Sequence, residues 1–281
     1  MKINLAKSAG FCFGVKRAIK MALEATQGGC QVEMLGDIVH NEDVVKQIEN
    51  SGIQKVKALA AGENKVLLIR AHGARRATYE EATKLGYTII DATCPMVKEI
   101  HRITEDWDEQ GYTIIVIGDK KHDEVQGILG HTKSQAFVID DINSIPVEQL
   151  KHIKKSVVVV QSTQIPEKVK KIVDLLKSYI PELKFFNTIC KTTKIKQKEM
   201  NHLPLENDAI IIIGSRNSAN TQRLYEISRS LNTNSYWVQG IDDLKPEWFE
   251  GLRSVGVTAG ASTPDQTIQN VIERLKDYEQ S

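Results

Sequence analysis

The chain has 281 residues, 41% of them apolar, with 37 basic against 36 acidic side chains and a formal net charge of +1. That balance argues against a nucleic-acid or membrane-surface partner, and no apolar run reaches the ~18 residues of a membrane-spanning helix. Four cysteines, with no leader-like segment ahead of them, read as thiols of a reducing cytoplasm kept for metal binding or catalysis.

Apolar strand-like runs alternate with amphipathic helical ones along the chain. The first strand is expected at Ile3 to Ala6 and the first helix at Val15 to Ala25, with Cys12 between glycines at the junction. Strand Val32 to Leu35 ends in Gly36 and precedes a helix from Glu42 to Asn50. Strand Val66 to Arg70 ends in Ala71-His72-Gly73, before a helix from about Ala77. A second set follows: strand Thr88 to Ile90, then Cys94-Pro95 opening a helix through Glu109. Strand Thr113 to Ile117 runs into Gly118, and His122-Asp123-Glu124 leads into a further helix. Next come strand Phe137 to Ile139, a polar connector around Pro146, strand Val157 to Val160 with Gln161-Ser162-Thr163 at its end, and helix Glu167 to Tyr179. The last set has strand Lys184 to Phe186, Cys190 and a polar helix from Thr193 to Asn201. Strand Ala209 to Ile213 leads through Gly214 into a phosphate-cradling loop with Ser218 near a helix start. Strand Tyr236 to Val238, a helix from Pro246 to Gly251, strand Val255 to Thr258, and Ala259-Gly260-Ala261-Ser262 before a helix through Tyr278 complete the chain.

An internal repeat organises these elements. The same 24-residue interval separates Cys12 from Gly36, Cys94 from Gly118, and Cys190 from Gly214, and four residues beyond each glycine stand His40, His122 and Ser218. The expected fold is α/β: three similar small units of roughly 94 residues with mostly parallel sheets around a pseudo-threefold axis. The units are placed at 1–91, 92–187 with the helix closing before Pro181, and 188–281 with a C-terminal helix. In such sheets ligands bind beyond the carboxyl ends of the strands, where the cysteines and polar turns all fall.

A thiol at a helix N-terminus is favoured as thiolate, the metal-binding form. Three of them, Cys12, Cys94 and Cys190, would hold one inorganic centre if the units converge. Zinc with an open position and a four-iron cluster with one iron lacking a thiolate both suit that donor set. Cys30 lies outside the frame and reads as an incidental loop thiol. His40, His72 and His122 at strand ends, with the uncharged donors Ser218, Asn220 and Ser262, suit a phosphate or diphosphate. Glu124 is the proton-donor candidate, because a carboxyl in a closed anionic pocket has its pKa raised. His101, His131, His152 and His202 receive no role.

The chain resembles the 4-hydroxy-3-methylbut-2-enyl diphosphate reductase family of the non-mevalonate isoprenoid route. The resemblance rests on Gly-Phe-Cys-Phe-Gly-Val at 10–15, Val-His-Asn at 39–41, Ala-His-Gly at 71–73 and Asp-Ala-Thr-Cys-Pro at 91–95. It continues with Gln-Ser-Thr at 161–163, Asn-Thr-Ile-Cys at 187–190, the loop at 218–220 and Ala-Gly-Ala-Ser at 259–262. It implies a [4Fe-4S] cluster on Cys12, Cys94 and Cys190. It also implies a diphosphate held by His40, His72, His122, Ser218, the Ala219 backbone, Asn220 and Ser262, with Glu124 supplying protons and Ser162 and Thr163 near the substrate hydroxyl. The implied reaction is reductive dehydroxylation of a small allylic diphosphate to isopentenyl and dimethylallyl diphosphates, with electrons from ferredoxin or flavodoxin. The chain departs from the family pattern at His122-Asp123-Glu124, where proline is common in the middle, at Ala219, where a serine is common, and at Lys196-Gln197, where Arg-Gln is usual. The competing readings are a zinc hydrolase of a phosphorylated metabolite and a phosphometabolite sensor without catalysis.

Overall fold

The computed structural model describes residues 1–62 and 64–279. Strands and helices alternate in the order β1 (Lys2–Leu5), α1 (Phe13–Ala25), β2 (Gln31–Leu35), α2 (Glu42–Asn50), β3 (Gln54–Val56), β4 (Lys65–Ile69), α3 (Arg76–Lys84), β5 (Thr88–Asp91), α4 (Pro95–Glu109), β6 (Thr113–Ile117) and α5 (Asp123–Leu129). They continue with β7 (Phe137–Ile139), α6 (Val147–Leu150), β8 (Lys155–Val160), α7 (Pro166–Tyr179), β9 (Glu182–Phe185), α8 (Lys191–Met200), β10 (Ala209–Ile213), α9 (Ala219–Leu231), β11 (Ser235–Val238), β12 (Ser254–Ala259) and α10 (Asp265–Glu279). Among the described residues, no helix is long and apolar enough to cross a membrane.

The strands form three four-stranded sheets, ordered β3-β2-β4-β5, β7-β6-β8-β9 and β11-β10-β12-β1, and every pairing is parallel. Parallel pairing requires crossovers, and the helices that make them cover both sheet faces, so the central strands are continuous apolar runs. β10 reads Ala-Ile-Ile-Ile-Ile and is buried throughout. Its side chains alternate: Ile211 and Ile213 pack with Ile268, Val271 and Leu275 of α10, while Ile210 and Ile212 pack with Met200 of α8 and Leu224 of α9. The β6 and β8 strands divide likewise. Ile115, Ile117, Val158 and Val160 face α7, and Ile114, Val116, Val157 and Val159 face Ile100 of α4 and Ile128 of α5. Each fully buried isoleucine or valine contributes about 1.5–3 kcal/mol, so the strand ends that carry the polar turns stand on the most stable part of each sheet.

The same strand order in all three sheets explains the 24-residue frame, and it corrects the expected division at the amino terminus. β1 pairs with β12 from Lys2↔Ser254 to Leu5↔Val257, so the fourth strand of the last sheet comes from the start of the chain, not from the 1–91 unit. Each repeat therefore runs from a glycine strand to the cysteine after its fourth strand, and the frame is circularly displaced by one strand. By compactness the chain divides into a smaller unit (Met1–Lys16, Val39–Gln47 and Lys191–Ser281) and a larger one (Arg17–Ile38 and Ile48–Cys190).

Two local expectations need correction, and one strand has no counterpart among them. The stretch from Pro246 to Gly251 is not an α-helix. Only Pro246–Trp248 forms one 3₁₀ turn, because Trp248 stacks on Tyr236 at 4.1 Å, Phe249 is buried and Gly251 turns the chain with φ +69°. The connector around Pro146 contains a 3₁₀ turn, Ile142–Ser144, capped by Asp141, and the short helix α6. The three-residue edge strand β3, too polar to read as a strand, pairs with β2, and its Gln54 and Lys55 side chains bond to Gln31 and Asp37.

Candidate active site

The three frame cysteines occupy one structural position. Each is followed at once by a helix, α1, α4 or α8, and each backbone N–H donates to the carbonyl two residues beyond the third strand of its sheet. Cys12 bonds Ala261 (3.1 Å), Cys94 bonds Ala71 (3.0 Å) and Cys190 bonds Ser162 (3.0 Å). All three are half-buried, whereas Cys30 is exposed. The Cys12 sulfur also accepts the Val15 N–H at 3.4 Å, the interaction a helix N-terminus offers a thiolate. The frame glycines have a steric reason as well. A Cβ on Gly118 would lie 2.8 Å from the Gln161 Cβ, one on Gly214 2.5 Å from the Thr221 hydroxyl, and one on Gly36 2.8 Å from the Arg70 guanidinium. Glycine is what lets the next polar side chain lie over the strand end.

Two polar turns of the larger unit come together. His122 caps α5, its Nδ1 accepting the Glu124 N–H at 3.1 Å. An accepting Nδ1 leaves the neutral ring's proton on Nε2, which makes that nitrogen a donor. The His72 ring meets His122 edge-on at 5.5 Å between centroids. Glu124 is buried, and its carboxylate accepts the Ser162 N–H (2.6 Å) and the Ser162 hydroxyl (2.8 Å). Burial pushes its pKa above the ordinary carboxylate value, and the Asp119 charge adds to this, while the two Ser162 bonds hold it down. Ser162 and Thr163 are both expected near the substrate hydroxyl, and they differ in their relation to Glu124. It is Ser162 that touches the acid, and Thr163, one residue further, is half-buried. Gln161 steadies the same segment: its side-chain oxygen accepts from the Asp119 amide (2.8 Å) and from Gln164 (3.1 Å).

In the smaller unit the corresponding turns carry neutral groups. Ser218 caps α9, its hydroxyl accepting the Thr221 N–H at 3.3 Å, and Ala219 and Asn220 follow inside the first turn. The Asn220 side-chain nitrogen is buried and has no hydrogen-bond partner among the described residues, which is the state of a donor awaiting an acceptor. Ser262 donates to the His40 carbonyl at 2.8 Å and so ties two predicted substrate-binding residues together. Neighbouring Ser215 donates to Glu42 at 2.8 Å.

Other groups at these turns gave no sequence signal. The Asp123 that departs from the family pattern is paired: Arg70 donates to it at 2.6 Å and to the Gly73 carbonyl at 3.4 Å. One guanidinium thus ties the turn after His72 to the start of α5 and neutralises the extra charge. His101, given no role from sequence, is buried and stacked on His131 at 4.1 Å; burial first, and the His131 charge second, push its pKa down to about 3. Its ring fills the space a Cβ on Gly73 would take, 2.6 Å from that position, and so supports the His72 turn from behind. Only the fold reveals such neighbours, because each pair is far apart in the chain.

A family model described as LytB protein matches residues 3–276. The 4-hydroxy-3-methylbut-2-enyl diphosphate reductase of Geotalea uraniireducens (strain Rf4) is 40% identical over 276 residues, covering 98% of this chain and 97% of the relative. The enzyme of that name from Aquifex aeolicus (strain VF5) is 40% identical over 281 residues, covering 98% and 96%. A solved structure of (E)-4-hydroxy-3-methyl-but-2-enyl diphosphate reductase, described as the terminal enzyme of the non-mevalonate pathway, is 39% identical and superposes with a TM-score of 0.71, covering 99% of this chain and 100% of the other. The E-1-hydroxy-2-methyl-but-2-enyl-4-diphosphate reductase of Plasmodium falciparum superposes with a TM-score of 0.91 at 28% identity, covering 98% and 88%. With the repeated cysteine position and the polar strand-end turns already in view, these likenesses establish that the chain belongs to the LytB family of 4-hydroxy-3-methylbut-2-enyl diphosphate reductases.

Proposed function

We propose that the protein reductively removes the hydroxyl of (E)-4-hydroxy-3-methylbut-2-enyl diphosphate, giving isopentenyl and dimethylallyl diphosphates. The overall change balances as one C–O bond broken, two electrons and two protons taken up, and one water released. The observation that carries the reading is the position of Ser162. Its amide and hydroxyl hold the buried acid Glu124, and its carbonyl holds the amide of Cys190, so one residue connects a proton source to a metal-ligand candidate.

Three thiols in one repeated position, each at the start of a helix, are a soft donor set suited to iron–sulfur chemistry. Cys12, Cys94 and Cys190 would hold a [4Fe-4S] cluster with one iron lacking a thiolate, and that cluster would pass in the two electrons, one at a time, from ferredoxin or flavodoxin. The remaining work falls to the chain's own side chains. His40, His72, His122, Ser218, the Ala219 amide, Asn220 and Ser262 bind the diphosphate, and the orphaned Asn220 nitrogen supports this assignment. Anchoring the charged end fixes the carbon chain, so the hydroxyl is presented and need not be found by diffusion. Glu124 stays protonated to higher pH than an ordinary carboxyl and delivers its proton to the departing hydroxyl oxygen, with Ser162 orienting the acid and Thr163 beside the substrate hydroxyl.

The test is anaerobic purification with iron, sulfide and zinc determination, followed by incubation with the allylic diphosphate and a strong one-electron reductant. Iron and sulfide in the protein and both isomeric diphosphates as products are expected. Zinc without iron or sulfide would replace this reading with that of a zinc hydrolase, and binding without turnover in iron-loaded protein would replace it with that of a sensor.

A further inference from the structure

The lysine at 196 is among the largest fully buried side chains of the protein, with 1% of its surface exposed. A buried ammonium is stable only when its donors are all engaged. Here Nζ donates to three backbone carbonyls, those of Ser8, Gly10 (3.0 Å) and Ala259 (3.0 Å). One turn further along α8, Glu199 accepts the Ser8 amide at 3.1 Å and the Ser8 hydroxyl at 2.5 Å. These are the two segments that cradle Cys12. Ser8 to Gly10 leads directly into it, and Ala259 ends β12 two residues before Ala261, whose carbonyl receives the Cys12 amide. Gly10 holds the loop with φ +88°, a conformation with little intrinsic preference to persist unless something fixes it.

The corresponding position six residues beyond each of the other frame cysteines is apolar and fully buried, Ala18 after Cys12 and Ile100 after Cys94. Burying a lysine there in the last repeat is therefore not a requirement of the fold. A parallel exists in the larger unit, where Arg17 on α1 donates to the carbonyl of Thr93, the residue before Cys94, at 3.1 Å. Twice, then, the helix after one frame cysteine sends a cation to the backbone that leads into another.

We infer that Lys196 is a positioning residue for Cys12: its shared ammonium, with Glu199, locks the Ser8–Gly10 turn and the end of β12 together and so fixes where the sulfur points. The inference rests on the reading of Cys12 as a metal ligand. The test compares the full-length chain with Lys196→Met, Lys196→Arg and Glu199→Gln by peptide-resolved amide hydrogen exchange and by the rate at which a chelator removes iron from anaerobically purified protein. Losing a charge-assisted bond of this kind should speed exchange of the amides at 8–12, and iron release, by roughly tenfold or more in Lys196→Met. The peptides spanning 91–95 and 187–191 should be unchanged, and Lys196→Arg should restore most of the protection. Should Lys196→Met fail to fold, Glu199→Gln must show the same local effect at smaller size. Uniformly faster exchange, or unchanged exchange at 8–12, overturns the inference. Wild-type protein without iron would sink the metal reading instead, and the exchange data would still decide whether Lys196 holds this turn.

Discussion

The starts of α5 and α9 occupy the same place in two repeats, yet they are built for different work. Each follows a glycine at the end of its sheet's first strand, and each has its second helical residue thirty positions after a frame cysteine (94 to 124, 190 to 220). At α5 that residue is Glu124, a buried acid held by Ser162, and the cap is an imidazole. At α9 it is Asn220, a buried neutral donor, and the cap is a hydroxyl. The fold supplies two equivalent helix starts; their side chains differ, and under the proposed function the acid would suit proton delivery and the neutral donor would suit an anion. The acidic first turn of α5 would be a poor anion site by itself, and Arg70 on Asp123 offsets part of its charge.

The contrast is broken most directly at its acid. Glu124→Gln keeps the shape and removes the proton, so turnover in single-turnover assays should fall roughly 100- to 10,000-fold while diphosphate binding persists. The wild-type rate should decline as pH rises through the raised pKa of Glu124, since only the protonated acid can donate, and that limb should vanish in the variant. An unchanged rate would remove Glu124 as the proton source. Next in size, Asn220→Asp makes α9 resemble α5: a donor becomes an anion facing an anion, and KM should rise roughly 10- to 100-fold, the worth of one hydrogen bond to a charged group. An unchanged KM would mean that the orphaned nitrogen does not meet the substrate.

Ser162→Ala sharpens the comparison by weakening the grip on the acid. The bonds from Ser162 lower the Glu124 pKa, so loss of the hydroxyl should shift the alkaline limb of the rate profile to higher pH. The stability cost should be about 1–3 kcal/mol by urea unfolding. The smallest effect is expected at the neutral cap, where Ser218→Ala should cost about 1 kcal/mol of stability through the lost bond to Thr221. It should leave the shape of the pH–rate profile unaltered, because the partner of the Ser218 hydroxyl is a backbone amide that does not titrate.

Most of the architecture was legible because it depends on local pattern. The buried strands β6, β8 and β10 are continuous β-branched runs that permit little else, and Pro95, Ser218 and the glycines mark where helices begin. The failures have a common cause. β3 and the stretch from Pro246 to Gly251 have weak local preference, so their state is set by what they pack against: β2 in one case, and Tyr236 in the other. The candidate residues could be chosen from the sequence, but their contacts with one another could not. Equal spacing picked out Cys12, Cys94 and Cys190, and motif residues picked out Glu124, yet nothing local said that Ser162 would be the one to hold it.

What the chain's order of residues determined alone was the repeat: strand, cysteine, helix, strand, glycine, polar cap, at an interval that steric need for glycine and helix-capping chemistry keep in step. Tertiary structure decided the rest. It placed β1 in the last sheet, in parallel register with β12, a pairing between segments so far apart in the chain that no local pattern specifies it. It also paired Arg70 with Asp123, Ser162 with Glu124 and Lys196 with three carbonyls, across separations in sequence that no local preference spans. Burial makes each of these polar groups find a partner, and only the folded chain sets which partner is within reach.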